Sequence, residues 1–218
     1  FQGNHGIYFQ RYDLDGVKFG ENILIKENTF EGFGYEPNVA MDNKGDFVVV
    51  WTQVVGYKNS FIFAQLYNSN GNKADTNFMV NSFIDTALAS QYPKTAKCSN
   101  GNFVVVWQNY YRIGYKPEIW GQLYNPSGKR IAENFKIADS TVDEWNHSPN
   151  AGMDKEGNFV VVWGGLGSIM IQRFKGDGSK IGPIIKAIDS YGLKGQKFSL
   201  TVKSSGEFMV VWEDHRNG

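Results

Sequence analysis

The side chains that could do chemistry in these 218 residues are few, and no two of them form a marked pair. Seven carboxylates fall in stretches that read as loops: Glu31, Glu36, Asp85, Asp143, Glu144, Asp189 and Asp214. Two carboxylates facing each other across a cleft can cleave a glycosidic bond, one as acid and the other as base or nucleophile. Spacing along the chain marks no such couple. The three histidines are His5, His147 and His215, scattered through the chain. Gly-x-Ser-x-Gly, His-Glu-x-x-His and phosphate-loop strings are all missing from the sequence. Asp13-Leu14-Asp15-Gly16 has the start of a calcium loop, but its counterparts carry Asn68 and Asn70, Asn125 and Ser127, Lys175 and Asp177. Turn propensity explains that set better than metal ligation, so no metal and no cofactor is expected. Asn146-His147-Ser148 fits a glycosylation acceptor.

What must position such groups is a repeated element. Gly45-Asp46-Phe47-Val48-Val49-Val50-Trp51 recurs at 101–107 and 157–163, and at 206–212 with Glu207 and Met209. A second string, Ile7-Tyr8-Phe9-Gln10-Arg11-Tyr12, recurs at 62–67, 119–124 and 169–174. Short apolar segments follow each of these after a Gly-containing turn, and Pro37–Met41, Pro93–Lys97, Pro149–Met153 and Phe198–Val202 precede each Val-rich string. Every unit therefore holds four β-prone runs, named here A (Pro-Asn-Val-Ala-Met type), B (Phe-Val-Val-Val-Trp type), C (Ile-x-x-Gln-x-Tyr type) and D (Phe-x-Val type). B is apolar on both faces, which requires cover from neighbouring sheets. A four-stranded antiparallel unit repeated at this period predicts an all-β propeller, four blades of four strands. The chain starts with C and D and ends with A and B. Pairing of Ile7–Tyr12 with Phe208–Trp212 is therefore expected to close the ring in one domain spanning 1–218, with Phe1-Gln2-Gly3 set aside as a tag-like remnant.

Bulk properties exclude some roles. Lys plus Arg equals Asp plus Glu at 22 each, which argues against nucleic-acid binding driven by charge. No run of 18 apolar residues is present, so membrane insertion by a helix is not expected. Cys98 is the single cysteine, so packing and hydrogen bonds hold the fold.

Pro93–Trp107, Ile7–Gly16 and Phe78–Asn81 together resemble the tandem repeats of large secreted or cell-surface proteins of bacteria and ciliates, including RTX-like adhesins. The resemblance covers nearly the whole chain. It implies an extracellular or cell-surface location and a non-catalytic binding or adhesion module, with no catalytic residues carried over. Phe198 in place of Pro and Met209 in place of Val depart from the pattern in the fourth unit.

Antiparallel strands place the tight A–B and C–D turns on one face and the longer B–C and D–A loops on the other. The long-loop face carries the aromatics, so a ligand is expected there, at Tyr35, Gln91, Tyr92, Trp145, His147, Tyr191 and Gln196. The expected partner is a glycan or an extracellular protein, and the chain is expected to be a monomer or part of a larger chain. Two other readings stay open: a carbohydrate-binding lectin, and a glycoside hydrolase or lyase with carboxylates at the channel mouth. The recurring Trp and Gln residues are expected to be structural.

Overall fold

The computed structural model describes residues 6–27, 32–56, 59–81, 88–111, 116–138, 146–165, 168–187 and 198–213. Among these residues there are sixteen strands and no helix. The A strands are β3 (Gly34–Met41), β7 (Leu88–Lys97), β11 (His147–Met153) and β15 (Phe198–Val202). The B strands are β4 (Phe47–Val55), β8 (Phe103–Tyr111), β12 (Phe159–Gly165) and β16 (Phe208–Trp212). The C strands are β1 (Gly6–Tyr12), β5 (Asn59–Tyr67), β9 (Glu118–Tyr124) and β13 (Ser168–Phe174). The D strands are β2 (Lys18–Glu27), β6 (Phe78–Met79), β10 (Phe135–Ala138) and β14 (Lys180–Lys186).

Three units are complete antiparallel A-B-C-D sheets: β3–β6, β7–β10 and β11–β14. The first two are tied by one parallel bridge, Ser60 to Ala89. The ends of the chain form two half-units, β1 with β2 and β15 with β16. The sheets pack face to face in chain order, and the B strands make the cores. Val48 and Val50 meet Phe103, Val105 and Trp107. Val104 and Val106 meet Phe159, Val161 and Trp163. Val160 and Val162 meet Phe208 and Val210. Ile7 and Ile25 meet Phe47, Val49 and Trp51. Each of the central B strands therefore buries both faces, as its unbroken apolar run requires. A stacked cross-strand ring pair recurs between B and C: Phe47 on Tyr67, Phe103 on Tyr124 and Phe159 on Phe174, at 4.9, 4.8 and 4.7 Å between ring centres.

The turns are closed by side chains. Oδ1 of Asp13 accepts hydrogen bonds from the backbone N–H of Asp15 and Val17, and Oδ1 of Asp42, Asn68 and Asn125 accepts in the same way. Each turn then needs a residue with positive φ, supplied by Gly at 16, 45, 71 and 128. The repeated glutamines are structural as expected: Nε2 of Gln65 donates to the backbone carbonyls of Leu66 and Asp75, and Gln172 donates to those of Arg173, Ile181 and Gly182.

Two expectations change. Among the described residues no pairing joins β16 to β1, so the sheets do not close through that pair. The half-units cover the outer sheets, β1 and β2 packing on β4, and β15 and β16 on β12 and β13, and on β16 Met209 and Val211 are 64% and 54% exposed. Trp51, Trp107 and Trp163 are buried, but Trp212, on the same face of β16 as Phe208 and Val210 and with no C strand paired to β16 among the described residues, is 40% exposed.

Candidate functional site

Three strained residues lie within the A strands β3, β7 and β11. Glu36, Tyr92 and Ser148 have φ of 55°, 56° and 52°. Each immediately precedes a proline, and each lies in a break of the A–B register, between Tyr35 and Asn38, Gln91 and Lys94, and His147 and Asn150. Side-chain-bearing residues enter this region at a cost of about 1–3 kcal/mol and persist where the surroundings over-determine them. At Tyr92 and Ser148 the surroundings include the preceding unit, and at Glu36 they are its own B strand and the following unit. Glu36 Oε2 accepts the N–H of Tyr92 at 2.9 Å and the hydroxyl of Thr52 at 3.1 Å. Ser148 donates its N–H to Gln108 Oε1 at 3.1 Å. Gln108 is the repeat counterpart of Thr52. Where the mouth residue of a unit is Tyr92 and brings no acceptor, the longer amide of the B strand takes over the capture. Asn38 Oδ1 likewise accepts from the N–H of Thr95 across the units at 2.9 Å.

The bulges turn these side chains into one cavity of about 400 Å³ where all four A strands converge. Glu36, Tyr92, Lys94, Ser148, Asn150 and Phe198 line it, with Pro37, Pro93 and Pro149. Among the described residues of the lining, Glu36 is the one carboxylate. The Tyr92 ring is 41% exposed beside it. Partial burial and the Glu36 charge both push the Tyr92 phenol up, so it stays protonated and offers a donor. Lys94 supplies a cation, and Ser148 and Asn150 supply neutral polar groups. A hydrated, polyhydroxylated ligand suits such a lining.

The expected site residues divide. Tyr92 lines the mouth. Tyr35, Gln91 and His147 do not; they stand one residue earlier, in a shared position behind it. Gln91 Nε2 donates to the Tyr35 hydroxyl at 3.1 Å, and burial pushes the Tyr35 phenol up, with the Glu36 charge adding to it. His147 packs its ring on Gly164, where an added Cβ would lie 2.3 Å from Cε1, and burial pushes its imidazole pKa down. The expected aromatic ring of Tyr35, Tyr92, Trp145 and Tyr191 is therefore not one position. Tyr35 and Tyr92 differ by one residue in register, and one residue reverses the face of a strand. Trp145, Tyr191 and Gln196 lie outside the described residues, as do Glu31, Asp85, Asp143, Glu144, Asp189 and Asp214. Lys94, Ser148 and Asn150 were not among the expected site residues. Their signal was the Pro of each A strand, which Ser148 precedes and Lys94 and Asn150 follow. The Asn146 acceptor reading is corrected: Asn146 is fully buried, with Oδ1 accepting from Trp163 Nε1 at 2.9 Å.

No family model matches this chain, and no curated protein does. Solved structures do. An α-L-arabinanase of Penicillium chrysogenum, complexed with arabinobiose, superposes at TM-score 0.54 and 16% identity over 79% of this chain and 53% of its own. An endo-arabinase of Bacteroides thetaiotaomicron gives 0.53 at 11% identity over 100% of this chain and 92% of its own. A family 117 glycoside hydrolase of Zobellia galactanivorans gives 0.51 at 10% identity, over 84% and 67%. This chain spans about half the length of the Penicillium enzyme. The likeness is of fold, and it is a β-propeller-like all-β fold. It also corrects an expectation. The non-catalytic adhesion module, and with it the exclusion of enzyme activity, gives way, because these structures of similar fold are glycoside-cleaving enzymes by name.

Proposed function

We propose that this chain is a carbohydrate-active module of the glycoside hydrolase kind, its four units acting as blades of one propeller domain around the mouth at Glu36. The observation that carries the reading is the convergence of four A strands on one cavity holding a carboxylate beside an exposed tyrosine. Glu36 is one of the two carboxylates that glycoside cleavage needs, and its pair is to be sought by replacing the loop carboxylates Glu31, Asp85, Asp143, Glu144, Asp189 and Asp214 in turn. Tyr92 offers a flat face to a sugar ring, and Ser148, Asn150 and Lys94 offer hydrogen bonds to hydroxyls. The names of the structurally similar enzymes direct the first assays to arabinan. The resemblance to secreted tandem repeats supports action outside the cell, within a larger surface protein.

The test is release of reducing ends from arabinan, arabino-oligosaccharides and a panel of other polysaccharides. Glu36→Gln keeps an oxygen to accept from Thr52 and Tyr92 while removing the charge. It is expected to lose about a hundred-fold or more in rate with its melting temperature retained. Absence of release from every glycan by the wild-type chain, or full activity in Glu36→Gln, overturns the reading.

A further inference from the structure

In the third unit the mouth carries a serine with a histidine directly behind it. The A-strand residues behind the mouth are Tyr35, Gln91 and His147, and their register partners on the B strands are Thr52, Gln108 and Gly164. Thr52 and Gln108 bring side chains that bond the mouth residues Glu36 and Ser148. Gly164 brings none, and the His147 ring takes the room. A Cβ added to Gly164 would lie 2.7 Å from Nε2 and 2.8 Å from Nδ1, so the imidazole lies against the Gly164 backbone and its orientation is fixed. Successive side chains of a strand normally alternate between faces. Ser148 breaks the alternation, with its φ of 52° in the register break between His147 and Asn150. Its Oγ comes to 3.3 Å from His147 Nδ1. The equivalent neighbours, Tyr35 with Glu36 and Gln91 with Tyr92, hold no such combination. Ser148 is exposed and lines the cavity, and the half-buried ring stands behind it. Burial keeps the imidazole neutral near neutral pH, with one ring nitrogen free to accept.

We propose that Ser148 and His147 form a nucleophile–base pair that cleaves short acyl esters of sugar hydroxyls at this mouth. A serine within hydrogen-bond reach of an oriented imidazole is the arrangement that activates a hydroxyl for acyl transfer. Ser148 Oγ bonds to the ester carbonyl carbon while its proton passes to His147 Nδ1. The bond from that carbon to the sugar oxygen then breaks, and the imidazolium returns the proton to the departing oxygen, releasing the free hydroxyl. Water repeats the two steps on the acyl-serine: its oxygen bonds to the carbon, Nδ1 takes its proton, and Oγ leaves with that proton, releasing the carboxylic acid. Lys94, Asn150 and the protonated Tyr92 phenol line the same cavity and are the donors available to the developing oxyanion. Pro149 and Phe198 give the acyl group an apolar wall. A side chain held in the left-handed region is strain of the kind stored at reactive positions, which agrees with the role of Ser148. The proposal shares the sugar-binding mouth with the glycosidase reading but needs no glycosidic cleavage.

Two probes without a glycosidic bond test it, so its failure and that of the glycosidase reading are told apart. A fluorophosphonate should label the wild-type chain, and peptide mass spectrometry should place the label on Ser148. p-Nitrophenyl acetate and a peracetylated monosaccharide should be deacetylated faster than in buffer, and more slowly in D2O than in H2O, because a proton moves as the ester is attacked. Ser148→Ala should lose both the label and the deacetylation; Ser148 is exposed, so this variant keeps its fold and decides the nucleophile by itself. His147→Gln keeps the serine and should slow labelling by about a hundred-fold or more. If His147→Gln melts low, the D2O comparison on the wild type decides the base. No label and no deacetylation above buffer, a label on another serine, unchanged labelling in a folded His147→Gln, or equal rates in H2O and D2O overturns the proposal.

Discussion

Replacing Trp107 and Trp212 separately by Ala compares one residue type at one repeat position in two environments. Trp107 is 1% exposed, its Nε1 donating to Asn109 Oδ1 at 2.9 Å. A buried Trp removes roughly 200 Å² from water, which at about 25 cal/mol per Å² corresponds to about 5 kcal/mol before allowance for a compact unfolded chain. Large-to-small truncation of such residues costs about 3–5 kcal/mol, so both routes agree. Asn109 Oδ1 still accepts from the Ser90 hydroxyl at 2.7 Å in the variant, so no orphaned acceptor adds to the cost. Trp212 is 40% exposed and its site is open to solvent, so it leaves no sealed cavity. By the same area its truncation should cost roughly 3 kcal/mol, about three-fifths as much. Urea titrations followed by circular dichroism, at a concentration where the chain is monomeric, read both values from the midpoint and slope. A Trp107→Ala variant within about 1 kcal/mol of wild type refutes the burial argument. Equal losses at the two positions show that Trp212 is as enclosed as Trp107.

Gly164→Ala should destabilise, because its Cβ would lie 2.3 Å from His147 Cε1; adding His147→Ala should recover much of the loss, and a purely additive double mutant in thermal melts defeats the packing account. Burial holds the His147 imidazole below its ordinary pKa of about 6.5. The unfolded chain therefore takes up this proton first as the pH falls. The stabilisation is whole above about pH 6.5 and lost as the pH drops from there through the folded value, so the urea midpoint should fall more steeply on acidification in wild type than in His147→Gln, and parallel curves refute the assignment.

The strands were legible because one string, Phe-Val-Val-Val-Trp, carries its own requirement. An unbroken apolar run must be covered on both faces, and four copies cover one another. The turns were legible from Asx residues followed by Gly. The mouth was not, for a reason of one residue. Tyr35 and Tyr92 both stand just before the Pro-led run of an A strand in the sequence, and a reading by residue type groups them. The bulge at Pro37 and Pro93 separates them, placing Tyr92 in the cavity and Tyr35 behind it. Whether β16 finds β1 was equally hidden, since apolar periodicity states that a face needs cover but not which sheet supplies it. Asn146 shows the same limit from the other side: its local string fits an acceptor, and the indole of Trp163, seventeen residues away, claims the side chain.

The three left-handed residues at the mouth agree in φ to within 4° while their side chains are Glu, Tyr and Ser. At Tyr92 and Ser148 the conformation is held by capture of the N–H by the preceding unit, through the Glu36 carboxylate and the Gln108 amide, and neither capture reads the side chain of Tyr92 or Ser148 itself. Folding therefore places little demand on the side chains of Tyr92 and Ser148, whereas the Glu36 carboxylate also serves the framework as the acceptor of Tyr92. Every duplication of the unit adds another such position, already aimed at the axis, whose identity can drift without disturbing the sheets. A chain assembled this way can change its ligand one letter at a time, and the framework needs no re-evolution when it does.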